Sequence, residues 1–183
     1  QGAMNAAIGV HTAKQDSSPM ILFVGQVGIR MKGREAFQEI DYETAFKDIA
    51  KWTVEINDVD RIPEIISRAW FTAISGRPGP VVVALPENIL TQESSASILT
   101  KAIFVENAVP SSASIDNVDR LLSECNRPLI IIGGSIWDES GQDALKDFAE
   151  TSRIPVIAAF RYQDQFDNFS NSFCGEAGVG MPA

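Results

Sequence analysis

The stretch Ser75-Gly76-Arg77-Pro78-Gly79-Pro80, followed at once by Val81-Val82-Val83-Ala84-Leu85-Pro86, constrains the fold more than any other part of the chain. It joins a helix end, a rigid turn and a buried strand. Gly76 is placed to end the preceding helix in a left-handed conformation, and the prolines after it keep the helix from resuming. The unbroken apolar run from Val81 suits a strand covered on both faces. Upstream, between Asp60 and Ala73, Ile62, Ile65, Ile66, Ala69, Trp70 and Ala73 recur at spacings of three and four, which predicts one amphipathic helix. Met20-Ile21-Leu22-Phe23-Val24, bounded by Pro19 and Gly25, reads as a second buried strand. Strand, helix and strand alternate, so the expected class is α/β, with parallel sheets flanked by helices.

A chain of 183 residues with 45% hydrophobic and 21% charged residues can bury a core and has room for one domain or parts of two. Its formal net charge of −9 argues against a nucleic-acid partner, which needs a basic face to displace counterions from phosphates. The two cysteines, Cys125 and Cys174, share no ligand spacing with the single histidine, His11, so no metal site is expected and a reducing cytoplasm is. No apolar run approaches the roughly 20 residues of a spanning helix. The start Gln1-Gly2-Ala3-Met4-Asn5 lacks a basic region followed by an apolar stretch, so neither export nor membrane insertion is expected.

The first module is expected to occupy residues 1–90. Residues 91–112, with Ser94, Ser95, Ser97, Pro110, Ser111 and Ser112 and no sustained period, read as a linker. A second α/β unit fills 113–183. There Ile115, Val118, Leu121, Leu122 and Cys125 mark a helix, Leu129 to Ile132 a strand, Leu145, Phe148 and Ala149 a helix, and Val156 to Ala159 a strand opened by Pro155. Ser140 with Asp143 reads as a variant helix-start capping pair.

Several residue types that often carry chemistry have plainer readings here. His11 has no second histidine or acid cluster nearby, and packing or capping suits it better than ligation or proton relay. Asp58, Asp60 and Glu64 complement the dipole at the start of the long helix. Trp52, Trp70 and Trp137 read as core or interface anchors, the commoner role of tryptophan, since nothing spaces them as a cage. Gly133-Gly134, between a strand and a helix, is either a place where backbone N–H groups approach a phosphate or a tight structural turn.

Four segments, taken in order, resemble one family. Asn5 to Pro19, Gly25-Gln26-Val27, Gly33 to Glu39 with Ala36-Phe37-Gln38-Glu39 inside it, and the Gly76 to Pro86 block are similar to the thiamine-diphosphate-dependent enzymes, most of all the acetolactate synthase large subunit. The resemblance implies that residues 1–90 form the later part of a pyrimidine-binding domain and 113–183 the start of a central domain. It implies that Phe37 and Gln38, with Gly25 and Gln26, lie beside cofactor and substrate at a subunit interface. Against this stands the alternative that Phe37 is core and Gln38 caps a turn. In the family the central domain holds FAD without a redox role, another adenine nucleotide such as ADP, or none, which makes Gly133 and Gly134 the nucleotide candidates.

Two positions depart from the family pattern. Glu87 stands at the substrate channel where lysine is usual, and a carboxylate there would repel anionic 2-keto acids; alternatively it is a solvated surface residue. Gly175-Glu176-Ala177-Gly178 replaces a Gly-Met-His-Gly type segment. The glutamate that activates the aminopyrimidine is expected upstream of Gln1, and the Gly-Asp-Gly and Asn-Asn segments for Mg2+ and diphosphate downstream of Ala183, so this chain by itself is expected to be inactive. The resemblance implies a cytoplasmic carboligase or lyase, homodimeric or homotetrameric, acting on 2-keto acids with thiamine diphosphate and Mg2+. The alternatives are a 2-keto acid or acyl-CoA decarboxylase of the same superfamily, or a non-catalytic nucleotide-binding or assembly module.

Overall fold

The structure, a computed structural model, describes residues 1–101, 103–106, 108–134 and 137–178. The chain divides into two compact units, Gln1–Glu106 and Asn107–Ala183.

In the first unit, helices α1 (Gly2–Asn5) and α2 (Ala7–Asp16) precede strand β1 (Met20–Gln26). Then come α3 (Tyr42–Ala45), β2 (Trp52–Glu55), α4 (Ile62–Ile74), β3 (Pro80–Pro86) and α5 (Glu87–Leu90). The sheet order is β1-β3-β2, with both pairings parallel. Because β3 is central, Val81, Val82, Val83 and Ala84 are all fully buried. Val82 and Ala84 pack with Val10, Val24, Tyr42 and Phe46 on one face, and Val81 and Val83 with Ile56, Ile65, Ala69 and Ala73 on the other. Cover on both faces is the physical reason for the continuous apolar run. Pro80 stands at the first position of this central strand, where a missing N–H is tolerated.

The turn before β3 closes two helices. Helix α4 ends at Ile74, Ser75 is extended, and Gly76 takes the left-handed conformation at φ 55°. The ammonium of Lys51 donates to the carbonyls of Thr72 and Ser75 (2.8 Å to the latter), satisfying the last turn of α4. Its methylenes lie against Gly79, where a Cβ would stand 2.9 Å from Lys51 Cδ. Arg77 reaches back to α2, donating to Ser17 Oγ at 2.7 Å and to the Gln15 carbonyl at 3.0 Å.

The acidic helix start is more divided than the sequence reading has it. Asp58 caps a short 3-10 turn, Val59–Arg61, that precedes α4. Glu64 pairs with Arg61 at 2.8 Å. Asp60 accepts from Ser94 Oγ at 2.8 Å and from the Ser95 N–H at 3.2 Å, which ties the opening of the 91–112 stretch to this unit. Strand β2, with polar Thr53 and Glu55, was not anticipated from the sequence pattern.

The second unit contains α6 (Ser112–Glu124), β4 (Ile130–Ile132), α7 (Glu139–Ser152), β5 (Val156–Ala159) and β6 (Phe173–Ala177). Its parallel sheet has the order β4-β5-β6, and Ile132, Ala149, Val156, Ala158 and Phe166 form its core. Strand β6 is a further addition to the sequence reading, and it includes Gly175, Glu176 and Ala177. The capping expectation for Ser140 is corrected. Asp138 is the cap and accepts from the Gly141 N–H at 2.7 Å, while Ser140 lies inside the helix and donates to that same carboxylate at 2.9 Å. A carboxylate at the cap meets both the free N–H groups and the helix dipole.

Candidate active-site cleft

Parallel strands β1 and β3 are paired with Gln26 opposite Pro86, so the segments beginning at Val27 and Glu87 leave the sheet side by side. Crevices at the carboxyl ends of parallel strands are the usual ligand sites of such sheets. Here an open cleft of about 670 Å³ runs from beside β1 and the N-terminal helical residues Gly2 and Ala3 to that end, lined in part by Gly25, Gln26, Phe37, Gln38, Tyr42 and Glu87, with Leu22 and Leu85 among its apolar contacts. The structure thus brings together the five first-unit candidates: Gly25, Gln26, Phe37, Gln38 and Glu87.

Phe37 is 85% exposed, so the alternative that it is core does not hold. Gln38 sits at φ 67°, a left-handed conformation that costs a non-glycine residue roughly 1 kcal/mol. It belongs to a tight turn in which the Glu39 N–H donates to the Ala36 carbonyl at 2.9 Å. The Gln38 carboxamide forms no hydrogen bond with the described residues. Glu39 organises the turn from within, accepting from the Gly33 N–H and, at 3.1 Å, from the Ala36 N–H. The Gly33 bond first, then the Ala36 bond, holds its carboxyl below the ordinary glutamate value.

Gln26 has a different role from Gln38. Its amide nitrogen donates to the Ile40 carbonyl at 2.8 Å and to Glu55 Oε2 at 3.2 Å, and its oxygen accepts from the Val27 N–H at 2.9 Å. Both amide hydrogens and the oxygen are engaged, so Gln26, only 5% exposed, is a cross-link rather than a free ligand group. Glu55 Oε1 accepts from Lys32 at 2.7 Å. Tyr42 donates its hydroxyl to the Gly25 carbonyl at 3.1 Å, and burial raises its pKa. Asn88 Oδ1 accepts from the Ile29 N–H at 2.8 Å, joining the two segments that leave the sheet.

Glu87 opens α5 and is exposed, yet it lines the cleft. Among the described residues it is the one acidic side chain on the cleft wall. Lys32, Tyr42, Glu55 and Asn88 were not singled out from the sequence. Their partners lie 17 to 59 residues away in the chain, and no local period announces such bonds.

In the second unit Gly134 adopts φ 87°, and the Gly133 carbonyl accepts from the Trp137 indole N–H at 3.0 Å. The N-terminus of α7 is occupied by the Asp138 carboxylate. A phosphate brought to that helix start would meet a like charge, so these residues fit a structural turn better than a nucleotide cradle. His11 is exposed and bonded to Gln15 at 2.9 Å. Trp52 stacks under Arg68 at 4.4 Å, and Trp70 is half exposed. Among the described residues no group of three or more His, Cys, Asp or Glu could hold a metal ion, and no helix is long and apolar enough to cross a membrane.

Residues 1–45 match the family model described as thiamine pyrophosphate enzyme, N-terminal TPP binding domain, and residues 115–183 match its counterpart for the central domain. The chain is 33% identical over 184 residues to the mitochondrial acetolactate synthase catalytic subunit of Aspergillus candidus, covering 91% of this chain and 26% of that protein. It is 34% identical to the acetolactate synthase large subunit of Buchnera aphidicola, over 86% of this chain and 28% of the relative. Against the chloroplastic acetolactate synthase of Arabidopsis thaliana it is 36% identical, over 86% of this chain and 24% of the relative. The chain therefore spans about a quarter of the length of these curated relatives. With two of the family's domains matched in order and a cleft where its strands end, the chain belongs to the thiamine pyrophosphate enzymes.

Proposed function

We propose that the protein carrying this chain is a thiamine-diphosphate-dependent carboligase or lyase acting on 2-keto acids, of the acetolactate synthase type. The observation that supports it most is the convergence of Gly25, Gln26, Phe37, Gln38 and Glu87 on one cleft at the carboxyl ends of β1 and β3.

The cleft residues fit a flat, nitrogen-bearing aromatic ring. Phe37 presents an exposed ring, Gln38 an unengaged carboxamide, and Leu22 and Leu85 apolar surface. Bound thiamine diphosphate supplies the nucleophilic carbon and the electron sink needed to decarboxylate a 2-keto acid. The Gln38 carboxamide orients a keto acid by hydrogen bonding without adding charge. The Phe37 ring excludes water from the reacting carbon. Gln26, fully engaged, holds the frame. The proposed enzyme works with Mg2+ beside thiamine diphosphate. The assembly is a homodimer or homotetramer and the compartment cytoplasmic.

A second reading, a 2-keto acid or acyl-CoA decarboxylase, is favoured by Glu87, whose charge on the cleft wall disfavours a second anion. The test is carbon dioxide release and product analysis for the full protein with thiamine diphosphate and Mg2+, across pyruvate and other 2-keto acids. Acetolactate from pyruvate supports the first reading, and aldehyde without ligation the second. No turnover with any donor leaves a binding or assembly role. Equilibrium dialysis against FAD and ADP tests that last role, and retention of neither removes its nucleotide-binding form.

A further inference from the structure

The segment that carries Phe37 and Gln38 leaves the sheet at Val27 and runs to the α3 cap at Asp41, and it is held at Lys32 and at Ile40 by one network centred on the buried Gln26 and Glu55 side chains. Lys32, near its start, donates to Glu55 Oε1 at 2.7 Å. Ile40, near its end, accepts from Gln26 at 2.8 Å. Gln26 and Glu55 meet at 3.2 Å although they sit on the two outer strands. The register explains how. Ala84 of the central strand is opposite both Val24 of β1 and Glu55 of β2, so Gln26, two residues beyond Val24, projects from the same face as Glu55. The methyl group of Ala84 is small enough for the two long side chains to meet above it.

The Glu55 side chain is 6% exposed while Lys32 is 43% exposed. A carboxylate so buried depends on its partners, because leaving it unpaired incurs the desolvation cost of the charge. Neither Lys32 nor Glu55 lines the cleft.

We propose that Glu55, together with Lys32, is a positioning residue that acts through Gln26 to hold the Phe37–Gln38 turn over the cleft. The proposal rests on the reading of that cleft as the reaction site. The ion pair fixes the start of the segment, the carboxamide fixes its end, and the carboxylate they share makes the two fastenings interdependent. Loss of either partner of the pair frees both ends of the turn, and small displacements of a positioning group are costly in rate.

The test uses the full protein with Glu55→Gln, Lys32→Met and Lys32→Arg, measuring hydrogen exchange at the Gly33, Ala36 and Glu39 amides alongside kcat and KM for the active 2-keto acid. Glu55→Gln removes the buried charge together with the ion pair, so it keeps the fold even if Lys32→Met, which leaves that carboxylate without its cation, lowers stability. The expected result is exchange at least tenfold faster at those amides and kcat/KM reduced roughly tenfold to a hundredfold in both breaking variants. Lys32→Arg, which keeps a cation beside Glu55, restores both. Unchanged exchange in Lys32→Met and Glu55→Gln overturns the clamp. Faster exchange with unchanged kcat/KM also overturns the positioning role, and it places the failure in the assignment of Phe37 and Gln38 to the reaction site. Lost activity that follows only the folded fraction overturns it as well.

Discussion

Gly79→Ala isolates the contact between the turn and Lys51. A methyl group at this position would stand 2.9 Å from Lys51 Cδ and 3.1 Å from Cγ, so the lysine side chain must shift. Shifting it breaks the bonds from its ammonium to the Thr72 and Ser75 carbonyls at the end of α4. Two charge-assisted bonds at partly exposed carbonyls contribute about 2 kcal/mol together. Replacing glycine by alanine also narrows the unfolded ensemble, which returns about 0.4–1 kcal/mol where the native backbone accepts alanine. Gly79 has no left-handed φ and precedes a proline, so alanine is compatible there. The net expectation is a loss of about 1 kcal/mol in the natural background. With Lys51→Ala already in place there is no side chain to meet, and Gly79→Ala should become neutral or stabilising by up to about 1 kcal/mol. Urea unfolding followed by the fluorescence of Trp52 and Trp70 measures all four proteins of this cycle, with a coupling of about 1–2 kcal/mol expected. An equal loss from Gly79→Ala in both backgrounds would refute the reasoning.

Other perturbations probe separate parts of the molecule. Phe46 is fully buried among Val10, Val82 and Ala84, so Phe46→Ala should cost about 3–5 kcal/mol, read as a lowered unfolding midpoint. The depressed pKa of Glu39 means that its support for the turn is fully present above the unfolded value of about 4.3 and fades as pH falls through the lower folded value. Exchange at the Gly33 and Ala36 amides, corrected for intrinsic rates, should therefore rise in the acid range below about pH 4, and Glu39→Gln should remove that dependence. Glu87→Lys turns the acidic cleft-wall charge positive and should lower KM for an anionic 2-keto acid by roughly threefold to tenfold at low salt, with the gain shrinking at high salt; an unchanged KM would make Glu87 a solvated bystander.

What the sequence disclosed follows from which forces act locally. Helix α4 and strand β3 are legible because their burial writes a period into the chain: three-and-four spacing for one covered stripe, and an unbroken run for a strand covered on both faces. Gly76 is legible because a left-handed turn favours glycine. Strand β2 escaped because Thr53 and Glu55 break any apolar run, and Glu55 is buried only through partners that are distant in sequence. Strand β6 is short, bears Gly175 in a positive-φ conformation, and shifts register against β5. Ser140 was mistaken for a cap because two residue types suited to a helix start lie close together, and the aspartate took the position. At the cleft, Phe37 and Gln38 were reached through resemblance alone. The backbone strain at Gln38 and the full engagement of Gln26 belong to the folded chain and leave no trace in composition.

Strand β1 pairs with β3 along one side, and no other described strand pairs with it. Its residues, Met20-Ile21-Leu22-Phe23-Val24-Gly25-Gln26, include no charge and no proline, and Phe23 is 51% exposed. Such an edge carries peptide groups ready to receive another strand and none of the charged residues that deter one. A further strand of the same protein satisfies it, and so does the same edge of a neighbouring molecule. In the isolated chain this row of seven residues is therefore a place for edge-to-edge association, which the net charge of −9 opposes.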